Sequence, residues 1–206
     1  MMKETAGIAV LFPGIGYTCD KPLLYYSEKI ARERGYEIMR VPYGNFPPGV
    51  KGDAAKMYQC FVSAREQAET ILAGIDWTAY SDILFFSKSV GTAVALSYAV
   101  EHKIHTRQIL YTPLEETFRF PTDPAGTIVF HGTADPWAKT EEIVRICEKK
   151  GFTLHLTENA NHSLECGKAR KDIKTIRKVM KTVEEFISGG RPPLLKWGMN
   201  AKKPSS

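Results

Sequence analysis

The chain has 206 residues and a mass of 23.1 kDa, with 43% apolar, 11% aromatic and 25% charged residues. That size and balance suit one compact domain burying roughly 70% of its unfolded surface, and they exclude a disordered or fibrous protein. The net charge of +5 is unevenly spread: residues 165–206 carry eleven basic and four acidic side chains, whereas the preceding part carries 17 basic and 19 acidic.

Near the N-terminus only residues 8–13 are apolar-dominated, too few for a signal-peptide core or a membrane span, so a soluble cytoplasmic protein is expected. The first strand is predicted at 8–12, and Asp20 is placed to cap a helix ending at Gly35. A second strand follows at 37–41. Asp53 then caps a helix in which Met57, Phe61, Ala64, Ala68, Ile71 and Ile75 recur every three or four residues, forming one buried stripe. A strand at 83–87 runs into a helix starting near Ser89, and further strands are predicted at 108–111, 127–131 and 153–157. A helix over 140–150 stops before Gly151, and the last helix covers 165–187. It carries Ile173, Ile176, Met180, Val183 and Ile187 on one side and seven Lys or Arg elsewhere, most simply a solvated face, so no nucleic-acid partner is expected. Cys19, Cys60, Cys147 and Cys166 form no C-x-x-C pair and read as reduced thiols.

Nearly continuous apolar strands suit a sheet covered on both faces. Six of them linked by helices predict a doubly wound, mostly parallel α/β sheet flanked by helices on both sides, with right-handed crossovers. A single domain is expected over 1–188. The tail at 189–206 lacks periodicity and reads either as a strap, with Leu194 and Trp197 docking on the body, or as a flexible end.

The most informative stretch is Ser87-Lys88-Ser89-Val90-Gly91, where a strand turns directly into a helix of small residues. It resembles the G-x-S-x-G nucleophile elbow of the α/β-hydrolase family, with Ser87 in place of the first glycine. Two later segments carry the same resemblance. After the fifth strand, His131-Gly132-Thr133-Ala134-Asp135 resembles the segment in which the family places its acid. After the sixth, Asn159-Ala160-Asn161-His162-Ser163 resembles the loop that presents its histidine. The order Ser, Asp, His is that of the family. A serine hydroxyl is a poor nucleophile until a base takes its proton, and imidazole titrates near neutrality. The resemblance therefore implies Ser89 as nucleophile, His162 as base and Asp135 as its orienting acid, with Glu115 or Glu116 as the alternative acid. The loop Pro13-Gly14-Ile15-Gly16-Tyr17 resembles the family's H-G-x-G-G loop, which implies the amides of Ile15 and Val90 as the oxyanion hole.

The same loop could be a degraded dinucleotide fingerprint, but Cys19 stands where its third glycine belongs and no acid ends the second strand. Tyr17, Trp137, Phe46 and Phe118 fall in loops at the active end, either lining an apolar pocket or plugging the core. Lys88 either points to solvent, pairs with a carboxylate or favours an anionic substrate. His131 reads as structural, and His102, His105 and His155 as bystanders. The family resemblance implies a minimal, lidless serine hydrolase acting on a small-molecule ester or thioester, with no cofactor, metal or membrane partner. A non-catalytic binding module and an acyltransferase are the alternatives.

Overall fold

The computed structural model describes residues 7–189; the expectations for Leu194, Trp197 and the rest of the tail lie outside them. Six strands, β1 (Ile8–Phe12), β2 (Glu37–Arg40), β3 (Ile83–Lys88), β4 (Arg107–Tyr111), β5 (Thr127–Gly132) and β6 (Thr153–Thr157), form one sheet in the order β2-β1-β3-β4-β5-β6. All neighbours are parallel. The connecting helices are α1 (Pro22–Glu33), α2 (Ala54–Leu72), α3 (Val90–Glu101), α4 (Thr140–Lys150) and α5 (Ala169–Ser188).

Strand alternation sorts the side chains into two layers. On one face Leu11, Phe86, Ile109 and Phe130 pack against Leu23 and Leu24 of α1 and Val179, Val183 and Ile187 of α5. On the other, Val10, Phe12 and Phe85 meet Ala64, Ala68 and Leu72 of α2 and Val94 and Tyr98 of α3. Leu110 and Val129 continue that face against Leu96 of α3 and Ile143 and Cys147 of α4. Each such large aliphatic side chain contributes about 1.5–3 kcal/mol by leaving water. Every residue of α3 from Val90 to Ala99 is buried, as expected of a helix apolar on all sides. Among the described residues no helix is long and apolar enough to cross a membrane, and the four cysteines are unpaired.

Several local expectations change. Asp20 does not cap α1: Pro22 takes the first helical position, Lys21 becomes the cap residue, and the Asp20 carboxylate instead pairs with Arg40 at 2.9 Å. Asp53 does cap α2, accepting the Lys56 amide at 3.0 Å. The buried line of that helix runs through Cys60, Ala64, Ala68 and Leu72, and Ile75 lies beyond its end. Helix α5 starts four residues later than its composition suggests, at Ala169, because Gly167 adopts φ 75° and the Asp172 carboxylate takes the Cys166 amide at 2.6 Å. Ile173 on that helix is 69% exposed rather than buried.

Strand β2 is added on one side of β1 and β3 to β6 follow in turn on the other, so the winding reverses between β1 and β3. The crevice above their C-terminal ends is where an open parallel sheet binds ligands.

Candidate active site

Ser89 stands between β3 and α3 with φ 56° and ψ −127°, a conformation that costs a non-glycine residue about 1–3 kcal/mol. The surroundings enforce it. The Ser89 amide donates to the Tyr111 carbonyl at 3.0 Å, and the Thr92 hydroxyl and amide both donate to the Ser89 carbonyl, at 2.6 and 2.9 Å. A Cβ on Gly91 would collide with the carbonyl oxygens of Phe12 and Pro13, so the helix approaches β1 only because that residue is glycine. Ser87 is fully buried, and its hydroxyl reaches the Ile109 carbonyl at 3.3 Å, which explains how serine fits in an elbow position normally held by glycine.

Two loops bring the other groups to Ser89. The His162 Nε2 lies 2.8 Å from the Ser89 Oγ, and its Nδ1 lies 2.7 Å from Asp135 Oδ2. The second Asp135 oxygen accepts the Trp137 amide at 2.8 Å. The Asp135 side chain has no exposure to solvent and that of His162 has 15%. The His162 loop is seated by the Thr112 hydroxyl, which donates to the His162 carbonyl at 2.9 Å, and by Gly132, where a Cβ would strike the Ala160 and Asn161 carbonyls. Trp137 stacks on the imidazole with ring centres 5.5 Å apart.

Burial pushes the His162 imidazole below the ordinary histidine range; its bond to Asp135 opposes that shift and Lys88 reinforces it. Burial alone would raise Asp135, but hydrogen bonds from His162 and the Trp137 amide outweigh it and hold the carboxyl below its ordinary value. A neutral imidazole facing an ionised carboxylate puts the proton on Nδ1 and leaves Nε2 free to accept from the serine.

The loop after β1 closes on itself, with Gly14 and Tyr17 exchanging amide-to-carbonyl bonds of 3.0 and 3.3 Å and Gly16 at φ 69°. The Ile15 amide on this turn and the Val90 amide at the start of α3 have no acceptor among the described residues. Both residues border Ser89. Beside them opens a cleft of about 300 Å³, lined by Ile15, Tyr17, Lys88, Trp137 and, from α2, Met57. Lys88 does not extend to the outer surface and forms no ion pair among the described residues. It is 1% exposed, its ammonium sits 5.0 Å from the centre of the Tyr17 ring, and burial pushes its pKa down to about 7.

No family model and no curated protein matches the chain. Solved structures do resemble it. A lidless α/β serine hydrolase from Xanthomonas campestris superposes with a TM-score of 0.58 at 13% identity, covering 91% of this chain and 85% of that one. Est1E from Butyrivibrio proteoclasticus gives 0.64 at 12% identity, covering 91% and 89%. The mouse α/β hydrolase domain-containing protein 10 gives 0.63 at 12% identity, covering 92% of each chain. This chain has the α/β-hydrolase fold.

Within that fold the remaining candidates find other employment. Phe118 is buried beside Phe152, and Phe46 packs on Tyr43, so both belong to the core and not to the cleft. Glu115 accepts the Lys139 amide at 3.2 Å, leaving Asp135 as the acid that meets the imidazole. His131 is buried, bonds the Thr140 hydroxyl at 3.1 Å and lies 3.8 Å from Asp135; burial pushes its imidazole below the ordinary histidine range. His102 pairs with Glu69 at the surface and His155 stacks on Phe130. Sequence reasoning missed Met57, whose place on the helical stripe marked it as core, and the stacking of Trp137 on His162.

Proposed function

We propose that the protein is a serine hydrolase that cleaves a small ester or thioester through an acyl-enzyme. The observation that carries this reading is the unbroken chain from a strained Ser89 hydroxyl through His162 to a buried carboxylate, at 2.8 and 2.7 Å. In the first half-reaction Ser89 Oγ attacks the carbonyl carbon as its proton passes to His162 Nε2. Negative charge develops on the carbonyl oxygen, where the unpaired amides of Ile15 and Val90 are available to receive it. One such donor is worth about 3–4 kcal/mol. Asp135 stabilises the imidazolium, which then protonates the leaving alcohol or thiol and expels it. In the second half-reaction water attacks the acyl-serine, His162 takes its proton and returns it to Ser89, and the acid is released. The fold neighbours support hydrolase chemistry of this general kind, one of them being a serine hydrolase without a lid.

A fluorophosphonate probe tests the assignment directly. It should label the wild type and not Ser89→Ala, and the wild type should hydrolyse short p-nitrophenyl esters above background. Equal labelling of both proteins would remove Ser89 from its role.

A further inference from the structure

Lys88 is the one cation lining the cleft, and its ammonium has no hydrogen-bond or ion-pair partner among the described residues. Buried charges in proteins are ordinarily paired, because an isolated ammonium forfeits its hydration without replacement. The nearby anions do not fill that place. Asp135 influences Lys88 electrostatically, but its two oxygens are engaged by His162 and the Trp137 amide. Glu165 also acts on Lys88 from the loop after His162, but it is exposed and makes no ion pair with it. The Tyr17 ring contributes a face 5.0 Å away, a weaker partner than a carboxylate. Of the remaining lining residues Asn161 and Ser163 are polar but uncharged, and the others are apolar or belong to Ser89 and His162, so a neutral apolar substrate would bring the ammonium no counter-charge.

We propose that Lys88 receives a carboxylate carried by the substrate, so that the site selects short esters or thioesters bearing a second, anionic group. This rests on the serine-hydrolase reading for the chemistry, but the binding itself does not depend on turnover. Burial that brings Lys88 to a pKa of about 7 adds support: a carboxylate in the cleft would favour the charged form and recover what desolvation takes away.

The test uses p-nitrophenyl monoesters of short dicarboxylic acids against their neutral methyl-capped isosteres, corrected for spontaneous hydrolysis, at pH 7. A parallel pair carries the carboxylate on the alcohol side, with a neutral acyl group. The wild type should favour the anionic member of at least one pair by about tenfold or more in kcat/KM, as expected for a hydrogen bond to a charged group. That ratio should fall towards unity in Lys88→Met. Preference within the first pair places the carboxylate on the acyl group, and within the second on the leaving group. Glutarate binding to Ser89→Ala, compared with glutaramide by calorimetry, reads the same contact without turnover and without altering Lys88. Fluorophosphonate labelling separates the failures: no labelling with selective glutarate binding would sink the hydrolase reading and keep the carboxylate site. Labelling, with no anionic preference in either pair and no selective glutarate binding, would overturn the inference and leave the hydrolase reading intact.

Discussion

Two cations are buried at opposite ends of the sheet. At the N-terminal end Arg107 of β4 is 5% exposed and every face of its guanidinium is occupied. It makes a fork with Asp82, at 3.2 and 2.5 Å, meets the Tyr36 hydroxyl at 3.1 Å, and donates to the Phe186 and Ile187 carbonyls in the last turn of α5. At the C-terminal end Lys88 is buried more completely and has no such partner among the described residues. Arg107 joins β4, the entry to β3 and the end of α5 into one floor. Lys88 stands within a cleft beside a strained serine. The difference shows where the fold commits its buried charge to structure and where it leaves charge available to a ligand.

The comparison predicts that substitutions at the rim remove activity without unfolding the protein, while substitutions at the floor do the reverse. The largest effect is expected for Ser89→Ala, which should lower turnover by about a millionfold with denaturation midpoints almost unchanged. Asp135→Asn should cost about ten-thousandfold, because an amide does not enforce the imidazole tautomer that presents an accepting Nε2 to the serine. Steady-state rates with a p-nitrophenyl ester check both, and a urea titration on the same samples checks that the fold is kept. At the floor, Arg107→Leu leaves the half-buried Asp82 carboxylate without its cation and with only the Tyr36 hydroxyl as a side-chain donor among the described residues. It should lose about 3–5 kcal/mol of stability by urea denaturation, with the turnover of the folded fraction retained. Loss of turnover in folded Arg107→Leu would break the division.

The floor and the rim were not equally legible in the sequence. The four inner strands announced themselves because residues such as Ile8 to Phe12 are covered on both faces, giving nearly continuous apolar runs, whereas the edge strands β2 and β6 are exposed or half-buried throughout. The elbow was visible because the turn demands glycine where α3 crosses the β1 carbonyls, a constraint written into one residue, Gly91. The placement of Phe46, Phe118 and Met57 was not. A helical period says that Met57 faces inward, but not whether it meets the sheet or overhangs its upper edge, and that depends on how far α2 extends before Cys60, the first buried residue of the helix. The pairing of Arg107 with Asp82 was equally hidden, since it joins residues 25 apart in sequence through strand register alone.

Lys88→Met sharpens the contrast because the same kind of change, a buried cation exchanged for an apolar side chain, should here stabilise the protein. Nothing is left unpaired when Lys88 goes, and a desolvated ammonium is removed. The pH dependence gives the sign. The folded Lys88 pKa, about 7, lies below the ordinary 10.5, so the unfolded chain binds more protons between those values and wild-type stability rises with pH across that window. The advantage of Lys88→Met should therefore be a few kcal/mol at about pH 7 and should fade as pH approaches the ordinary lysine value. Urea midpoints of both proteins across that range measure it; a variant less stable than wild type at pH 7 would mean that the ammonium is satisfied after all.

The smallest effect concerns the acid limb of the rate. With a neutral ester, kcat/KM should fall as His162 becomes protonated, at a pH below the ordinary histidine value, because burial disfavours the imidazolium more than Asp135 favours it. The Lys88 cation pushes in the same direction as burial. The imidazole titrates below the ordinary histidine value, on the side of the Lys88 titration where the ammonium gains its proton, so the repulsion grows as pH falls along that limb. Replacing it with methionine should move the limb to higher pH, and replacing it with arginine, which stays charged, should not. A limb that stays in place in Lys88→Met would mean that the ammonium and the imidazole are screened from each other, and Lys88 would then act on the bound substrate alone.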